Sequence, residues 1–238
     1  AGSIKYAHED LRNVLERSSA RKTAIETAVG AVAKLLLKEL GITGSSKVTQ
    51  IGSACCPANF EEEVDIMRGK GDTVGGRFVV TYTNLPVGLG SYVHWDRSLD
   101  GKIAQAVMSV PAVKTVEIGL NPTGKSGSEY HDEIFVENGE ITRKTNHAGG
   151  IEGGMTNGED IVITGVMKPI PTMRTPLKTV NSKTMEETEA HFERSDVCAV
   201  EACSVVAEAR IAWILADEIL LKYGGDSLEE LKRNYADR

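Results

Sequence analysis

The stretch Ile118-Gly119-Leu120-Asn121-Pro122-Thr123-Gly124-Lys125-Ser126, followed by Gly127-Ser128-Glu129-Tyr130-His131-Asp132-Glu133-Ile134-Phe135-Val136, decides the fold class of this chain. Gly119 to Ser126 fits the phosphate-loop pattern G-x-x-x-x-G-K-[ST] letter for letter, and it follows a β-branched run. A phosphate loop must open a helix, so that the helix N-terminus faces the phosphates. Here Asn121-Pro122 signals a turn. The residues after Ser126 lead toward a hairpin, Glu133 to Lys144, turning at Asn138-Gly139, a favoured two-residue link. The reading is therefore an α+β chain rich in antiparallel strand, not a doubly wound α/β sheet. A nucleotide binder acting through Gly119–Ser126 remains as an alternative.

Outward from this stretch, hydrophobic periodicity predicts the other elements. Ala20 to Leu40 reads as a helix, with Ala24, Ala28, Val32, Leu35 and Leu36 at helical spacing and Gly41 as its stop. Val48–Ile51, Arg77–Leu85 and Ile161–Met167 read as strands. Ala112–Ile118 reads as a buried strand, and Leu99–Val110 as a helix. Val206, Ala209, Trp213, Ala216 and Leu220 share one face of a long helix ending at Gly224-Gly225. Ser227 with Glu230 makes a capping box for a last short helix. No repeat or low-complexity linker divides residues 1–238, which read as a single domain.

Composition limits the function. The chain has 238 residues, 41% of them hydrophobic, and a net charge of −7. That balance argues against a nucleic-acid surface. Cys55, Cys56, Cys198 and Cys203 form no CxxC pair, which suits a reduced, cytoplasmic protein. The N-terminal residues carry no apolar signal core, and the apolar run Val205–Leu221 is broken by Glu208, Arg210, Asp217 and Glu218, so no membrane span is expected. The histidines, at 8, 94, 131, 147 and 191, have no metal-ligand spacing. His94-Trp95-Asp96 and Asn146-His147 lie near glycines and could line a pocket.

Three further motifs suggest a site. Glu16-Arg17-Ser18-Ser19-Ala20-Arg21 precedes the first strong helix. Hydroxyls, free N–H groups and arginines there could hold an anion, or simply cap the helix. Gly149-Gly150-Ile151-Glu152-Gly153-Gly154-Met155-Thr156-Asn157-Gly158 allows close approach of backbone to a ligand, or is a flexible loop. It leads through a strand to Lys168-Pro169-Ile170-Pro171-Thr172, which suits a phosphate or a plain turn. In Arg194-Ser195-Asp196-Val197-Cys198, Arg194 and Asp196 could share one side of an extended segment, as an anion grip with a proton carrier or as a surface ion pair.

In series these pieces resemble the chorismate synthase family. The likeness runs through Asp10–Arg21, Gly71-Asp72-Thr73-Val74-Gly75-Gly76, Leu85–His94, Gly153–Gly158, Lys168–Thr172 and Arg194–Val200, in the family's order. It implies a β-α-β sandwich, usually a homotetramer. It also implies a lyase that eliminates phosphate from 5-enolpyruvylshikimate 3-phosphate in a 1,4-anti sense, the last step of the shikimate pathway toward the aromatic amino acids. Reduced FMN is required but not consumed. The flavin's reductant, NADPH or another, is left open. By position, the resemblance assigns Arg17, Ser18, Ser19, Ala112, Gly153, Lys168, Pro169, Ile170, Pro171, Thr172 and Arg194 to the flavin. Ser19, Ala20, Arg21 and Arg194 are assigned to the substrate, and Asp196 to proton transfer near the flavin.

Departures accompany the likeness. The family's Ser-His-Gly and Gly-His-Ala-Asp motifs, whose histidines act as acids, are not in this sequence. Lys22, Glu26, Pro111 and Glu201 stand where relatives usually carry Glu, Arg, Asn or Gln, and Pro. Gly52 to Cys56 join where relatives have a longer stretch. The chain is therefore expected to lack an N-terminal segment, and a further piece near 52–56, and to be inactive alone. The rival expectation is a degenerate member serving as a binding or assembly module.

Overall fold

The run Ile161–Met167 is a central strand, and the rest of the fold is arranged around it. The computed structural model describes residues 1–192 and 195–237. In chain order come α1 (Gly2–Tyr6), α2 (Leu11–Ser18), a 3-10 turn (Ala20–Lys22) and α3 (Thr23–Glu39). Next are β1 (Thr43–Ile51), α4 (Phe60–Lys70), β2 (Gly76–Thr83), α5 (Leu99–Met108) and β3 (Val113–Ile118). Then follow α6 (Gly127–Tyr130), β4 (Ile134–Glu137), β5 (Glu140–Arg143), β6 (Ile151–Glu152), β7 (Met155–Thr156) and β8 (Ile161–Met167). The chain ends with β9 (Lys178–Val180), β10 (Glu187–Glu189), α7 (Val200–Tyr223) and α8 (Leu228–Ala236).

The sheet has the order β1-β2-β8-β3, and every pairing is antiparallel. No parallel crossover unit is present among its strands, so the α+β reading holds. β2 alternates as a half-buried strand should: Phe78, Val80 and Tyr82 face the helices, with Ile161 and Ile163 of β8 beside them. β3 is an edge strand, and only its Val113 is fully buried. The fully buried strand expected there is corrected to this position, because an edge strand lacks a neighbour on one side. β1 is longer than the expected Val48–Ile51. The β4–β5 hairpin turns at Asn138 and Gly139, both at positive φ, as the sequence predicted.

Helices α3, α5 and α7 cover the sheet. α7 is apolar nearly all round because it lies between the sheet and its neighbours. Ile211, Leu215 and Ile219 are fully buried, each stabilising by about 1.5–3 kcal/mol. Two buried carboxylates fix how it sits. Glu208 meets Lys34 and the Ser46 hydroxyl, and Glu218 meets Lys102 and the Gly90 N–H. Such pairs specify an arrangement more than they stabilise it.

α3 corrects the expected helix face. A side chain at Gly30 would stand 2.4 Å from the Ala209 Cβ, so the two helix backbones nearly touch. The buried face is Gly30, Ala33 and Leu37. Val32 and Leu35 are 68% and 65% exposed, and Ala24 and Ala28 are exposed too. Small residues let the backbones approach, and that face packs inward. On α7, Val206, Ala209 and Ala216 are buried, whereas Trp213 and Leu220 are exposed.

Two local details bear on the expectations. Ser227 caps α8 by accepting the Glu230 N–H at 3.2 Å, but the Glu230 carboxylate accepts from Asp226 N–H rather than from the cap itself. The junction Gly52–Cys56 is a closed turn: Ile51 and Ala54 exchange N–H···O bonds, and Glu63 accepts from the Ser53 N–H and hydroxyl.

Candidate functional site at the C-terminal end of the central strand

The loop Lys168–Thr172 leaves the end of β8 and is pinned along its length. Lys168 N–H donates to Ala112 O at 2.9 Å. Ala112 has φ 72°, a left-handed conformation costing an L-residue about 1–2 kcal/mol. Strain of this kind concentrates at functional positions. Thr73 Oγ1 donates to Ile170 O at 2.6 Å, and Ser195 Oγ donates to Thr172 O at 3.0 Å. Val74 N–H donates to Val197 O at 2.9 Å.

These bonds bring Thr172 and Asp196 to one cleft of about 110 Å³, with Arg68, Thr73, Arg174 and Ser195 also lining it. Asp196 is exposed there, and Lys168, outside the cleft lining, is half-buried at the start of the loop. Arg68 is ion-paired with Asp65, while Arg174 is exposed. Arg68, Thr73 and Arg174 were not among the expected site residues. Thr73 lies in a stretch the resemblance covers, but a threonine beside an aspartate carries no chemical signal by itself. Arg174 could have been sought as a cation two residues beyond Thr172. Arg194 lies outside the described residues.

The Arg17–Arg21 segment is built differently from the helix N-terminus expected of it. Ser18 closes α2, and its hydroxyl donates to Val14 O at 2.8 Å. Ser19 caps the 3-10 turn, accepting the Arg21 N–H at 3.3 Å. Arg21 pairs with Glu16 at 2.7 Å, and Arg17 and Ala20 are exposed. The segment enters the helix layer where α5 stops. Glu26, in the first turn of α3, accepts from Arg210, which also donates to Ala106 O and the Ser109 hydroxyl. Ser109 precedes Ala112 closely in sequence, so the segment approaches the same end of the sheet as Lys168.

Gly153 stands apart. It forms the turn of the β6–β7 hairpin beside Asp100 and Ile118. Ala112 precedes β3 and Ile118 ends it, so Gly153 lies about 20 Å from Ala112 by strand rise. This end is stabilised from within. Asp132, its side chain 1% exposed, accepts from the Thr145 hydroxyl at 2.5 Å and from the His147 and Ala148 N–H groups. Burial pushes its carboxyl up, but these bonds outweigh that and hold it below the usual carboxylate range. His147 Nδ1 lies 2.8 Å from Tyr130 O. Arg143 binds Glu152 and Asn157 O. Gly119, at φ 66°, passes so close to His147 that a Cβ would sit 2.1 Å from its carbonyl oxygen.

The phosphate-loop geometry does not form. Helix α6 has four residues, and the Glu129 carboxylate accepts from the Ser126 N–H and hydroxyl at 2.9 Å each. A carboxylate thus sits where a phosphate would. His94 and Asp96, 2.8 Å apart, line a separate cleft of about 750 Å³ with Gly88 and Gly90. Among the described residues no group of three or more His, Cys, Asp or Glu could hold a metal ion, and no helix is long and apolar enough to cross a membrane.

Comparison with known proteins agrees with the order of these motifs. The family model described as chorismate synthase matches residues 1–220. A chorismate synthase of Thermoanaerobacter pseudethanolicus is 56% identical over 238 aligned positions, covering 99% of this chain and 68% of that protein. One from Geobacter sulfurreducens is 49% identical over 270 positions, covering 98% and 69%. A solved chorismate synthase crystal structure superposes with TM-score 0.85 at 40% identity, covering 99% of this chain and 74% of that one. With sequence and fold in agreement over nearly its whole length, the chain belongs to the chorismate synthase family.

Proposed function

We propose that this chain carries the lyase chemistry of its family, converting 5-enolpyruvylshikimate 3-phosphate to chorismate and phosphate with reduced FMN. The observation that supports this reading most is the joining of the Lys168–Thr172 loop to the Ser195–Asp196 loop across one small cleft. The cleft has room for a phosphate group, and a flavin ring would lie outside it. The cationic Lys168, half-buried as a residue, the Thr172 hydroxyl and the strained Ala112 backbone suit the phosphate end of a flavin.

Lys168 and Thr172 then hold the flavin phosphate, with Pro169, Ile170 and Pro171 stiffening the loop between them. Arg17, Ser18 and Ser19 approach from the start of the helix layer and complete the flavin contacts. Ser19, Ala20 and Arg21 are the contacts to the substrate's anionic groups, with Arg194 assigned to them by the resemblance alone. Asp196 holds or moves a proton at the flavin side. When bound, reduced FMN supplies electron density that weakens the C–O bond to the leaving phosphate and recovers it as a C–H bond breaks.

Self-association, in the form of a homotetramer, belongs to the same reading. The outer face of α3, with Ile25, Val29, Val32 and Leu35, and the loop bearing Tyr92, Val93 and Trp95 expose large apolar side chains. Contiguous patches of this kind mark interaction surfaces. Gly153, at the far end of the sheet from Ala112, would meet a different end of the flavin from Lys168. The setting is cytoplasmic, and reductants such as NADPH act on the flavin.

Titration with oxidised FMN tests the site first. Binding is expected, and Lys168→Met should weaken it about tenfold, the loss of roughly one charge-assisted hydrogen bond. Chorismate formation by the full-length encoded protein, given reduced FMN and substrate without oxygen, tests the reaction. Normal flavin binding with no chorismate formed would favour the binding-module alternative.

A further inference from the structure

We propose that Thr73 is a positioning residue for the ligand site, fixing the Lys168–Thr172 loop against the Asp196 loop through its hydroxyl. The proposal rests on the flavin reading above. Thr73 is 8% exposed, in the turn between α4 and β2, far in sequence from both loops. Its Oγ1 donates at 2.6 Å to Ile170 O, the middle carbonyl of the Lys168–Thr172 run. The next residue, Val74, donates its N–H to Val197 O, one position beyond Asp196. Adjacent residues of one turn therefore grip both loops.

The turn itself is held rigid. The Asp72 carboxylate accepts the Thr73 N–H at 2.7 Å, and Gly71 O accepts the Thr175 N–H at 3.1 Å. Packing alone does not require the hydroxyl, because valine has the same shape. What the hydroxyl adds is direction. It pins one carbonyl of a loop whose prolines at 169 and 171 have no N–H of their own to donate. Lys168 and Thr172 flank that pinned carbonyl, so its position sets theirs. A ligand site loosened by even an ångström loses binding and rate.

The test compares wild type with Thr73→Val and Thr73→Ser, by oxidised-FMN affinity, thermal midpoint and amide exchange. T73V should bind FMN about tenfold more weakly and exchange faster at Ile170 and Thr172–Thr175. T73S, which keeps the donor, should restore both. If T73V lowers the midpoint yet binds FMN like wild type, Thr73 is structural only and the proposal is overturned. A wild-type chain that fails to bind FMN overturns the flavin reading instead. Exchange then decides for Thr73, and an unchanged rate at Ile170–Thr175 overturns its role. Should T73V not fold, Thr73→Cys, similar in size and a weaker donor, takes its place with the same expected direction.

Discussion

The two ends of β8 are built from similar material and treat charge in opposite ways. At its start, beside the turns around Gly119, Gly149 and Gly153, Asp132 and Arg143 are turned inward. Asp132 is enclosed by three donors, and Arg143 is engaged by Glu152 and Asn157. At its finish, the loop after Met167 is held by hydroxyls and main-chain bonds, while Asp196 and Arg174 stay exposed. One end uses its charges to hold itself. At the other, the loop after Met167 is held by hydroxyls and main-chain groups, and Asp196 and Arg174 are left exposed to a ligand. That difference separates a structural loop from a candidate site more sharply than glycine content does.

Substitutions at the two ends can break or sharpen this contrast. The largest loss of stability is expected from Gly119→Ala. The new Cβ would collide with His147 backbone at a left-handed φ, costing more than about 2 kcal/mol from strain and overlap together. Chemical denaturation measures it, and a near-wild-type midpoint would mean that this end is looser than described.

Asp132→Asn comes next, at about 1–3 kcal/mol, the penalty for mispairing buried donors. The effect depends on pH. The folded carboxyl titrates below its unfolded value, so its contribution is complete above the unfolded pKa of about 4 and is lost as pH falls through the folded value. The gap between variant and wild type should therefore narrow in acid. A gap independent of pH would show that the shape of the side chain, not its charge, holds the loop.

Asp196→Asn is expected to change stability little, by under about 0.5 kcal/mol, as for other exposed side chains. Its effect should fall on turnover of the full-length protein, while its thermal midpoint stays put. A clearly lowered midpoint with unchanged turnover would place Asp196 among the structural groups, and the contrast between the two ends would fail.

Lys125→Ala tests the remaining letter match. Neither nucleotide binding nor stability should change, since Glu129 already occupies the start of α6.

Much of the fold was legible where a local rule speaks for itself. Asn138-Gly139 demanded a hairpin, Ile161–Met167 a strand, and Gly41 and Gly224 helix ends, and each is present. Helix faces were less legible. The larger apolar residues of α3 suggested a core stripe, yet Gly30 and Ala33 pack inward, because backbone approach depends on what the partner helix offers. Ser18 read as a helix-start anion group but closes α2 instead, since the helix ends there and Ser19 is extended before the 3-10 turn. At the candidate site, Lys168–Thr172 and Asp196 were named from motifs. Thr73 was not, because its hydroxyl acquires a role only through a carbonyl 97 positions away.

By itself the sequence determined the main strands and the longer helices α3, α5 and α7, though not α2, α4 or the β9–β10 ribbon, together with the α+β class and the family, because periodicity, turn chemistry and motif order are properties of neighbours along the chain. It also indicated that the phosphate-loop letters at Gly119–Ser126 lead into a hairpin. Only the tertiary structure decided that Thr172, at the end of the Lys168–Thr172 loop, shares one cleft with Ser195 and Asp196 while Gly153 lies at the other end of the sheet. Convergence in space depends on strand order and on long-range hydrogen bonds, which no local spacing encodes.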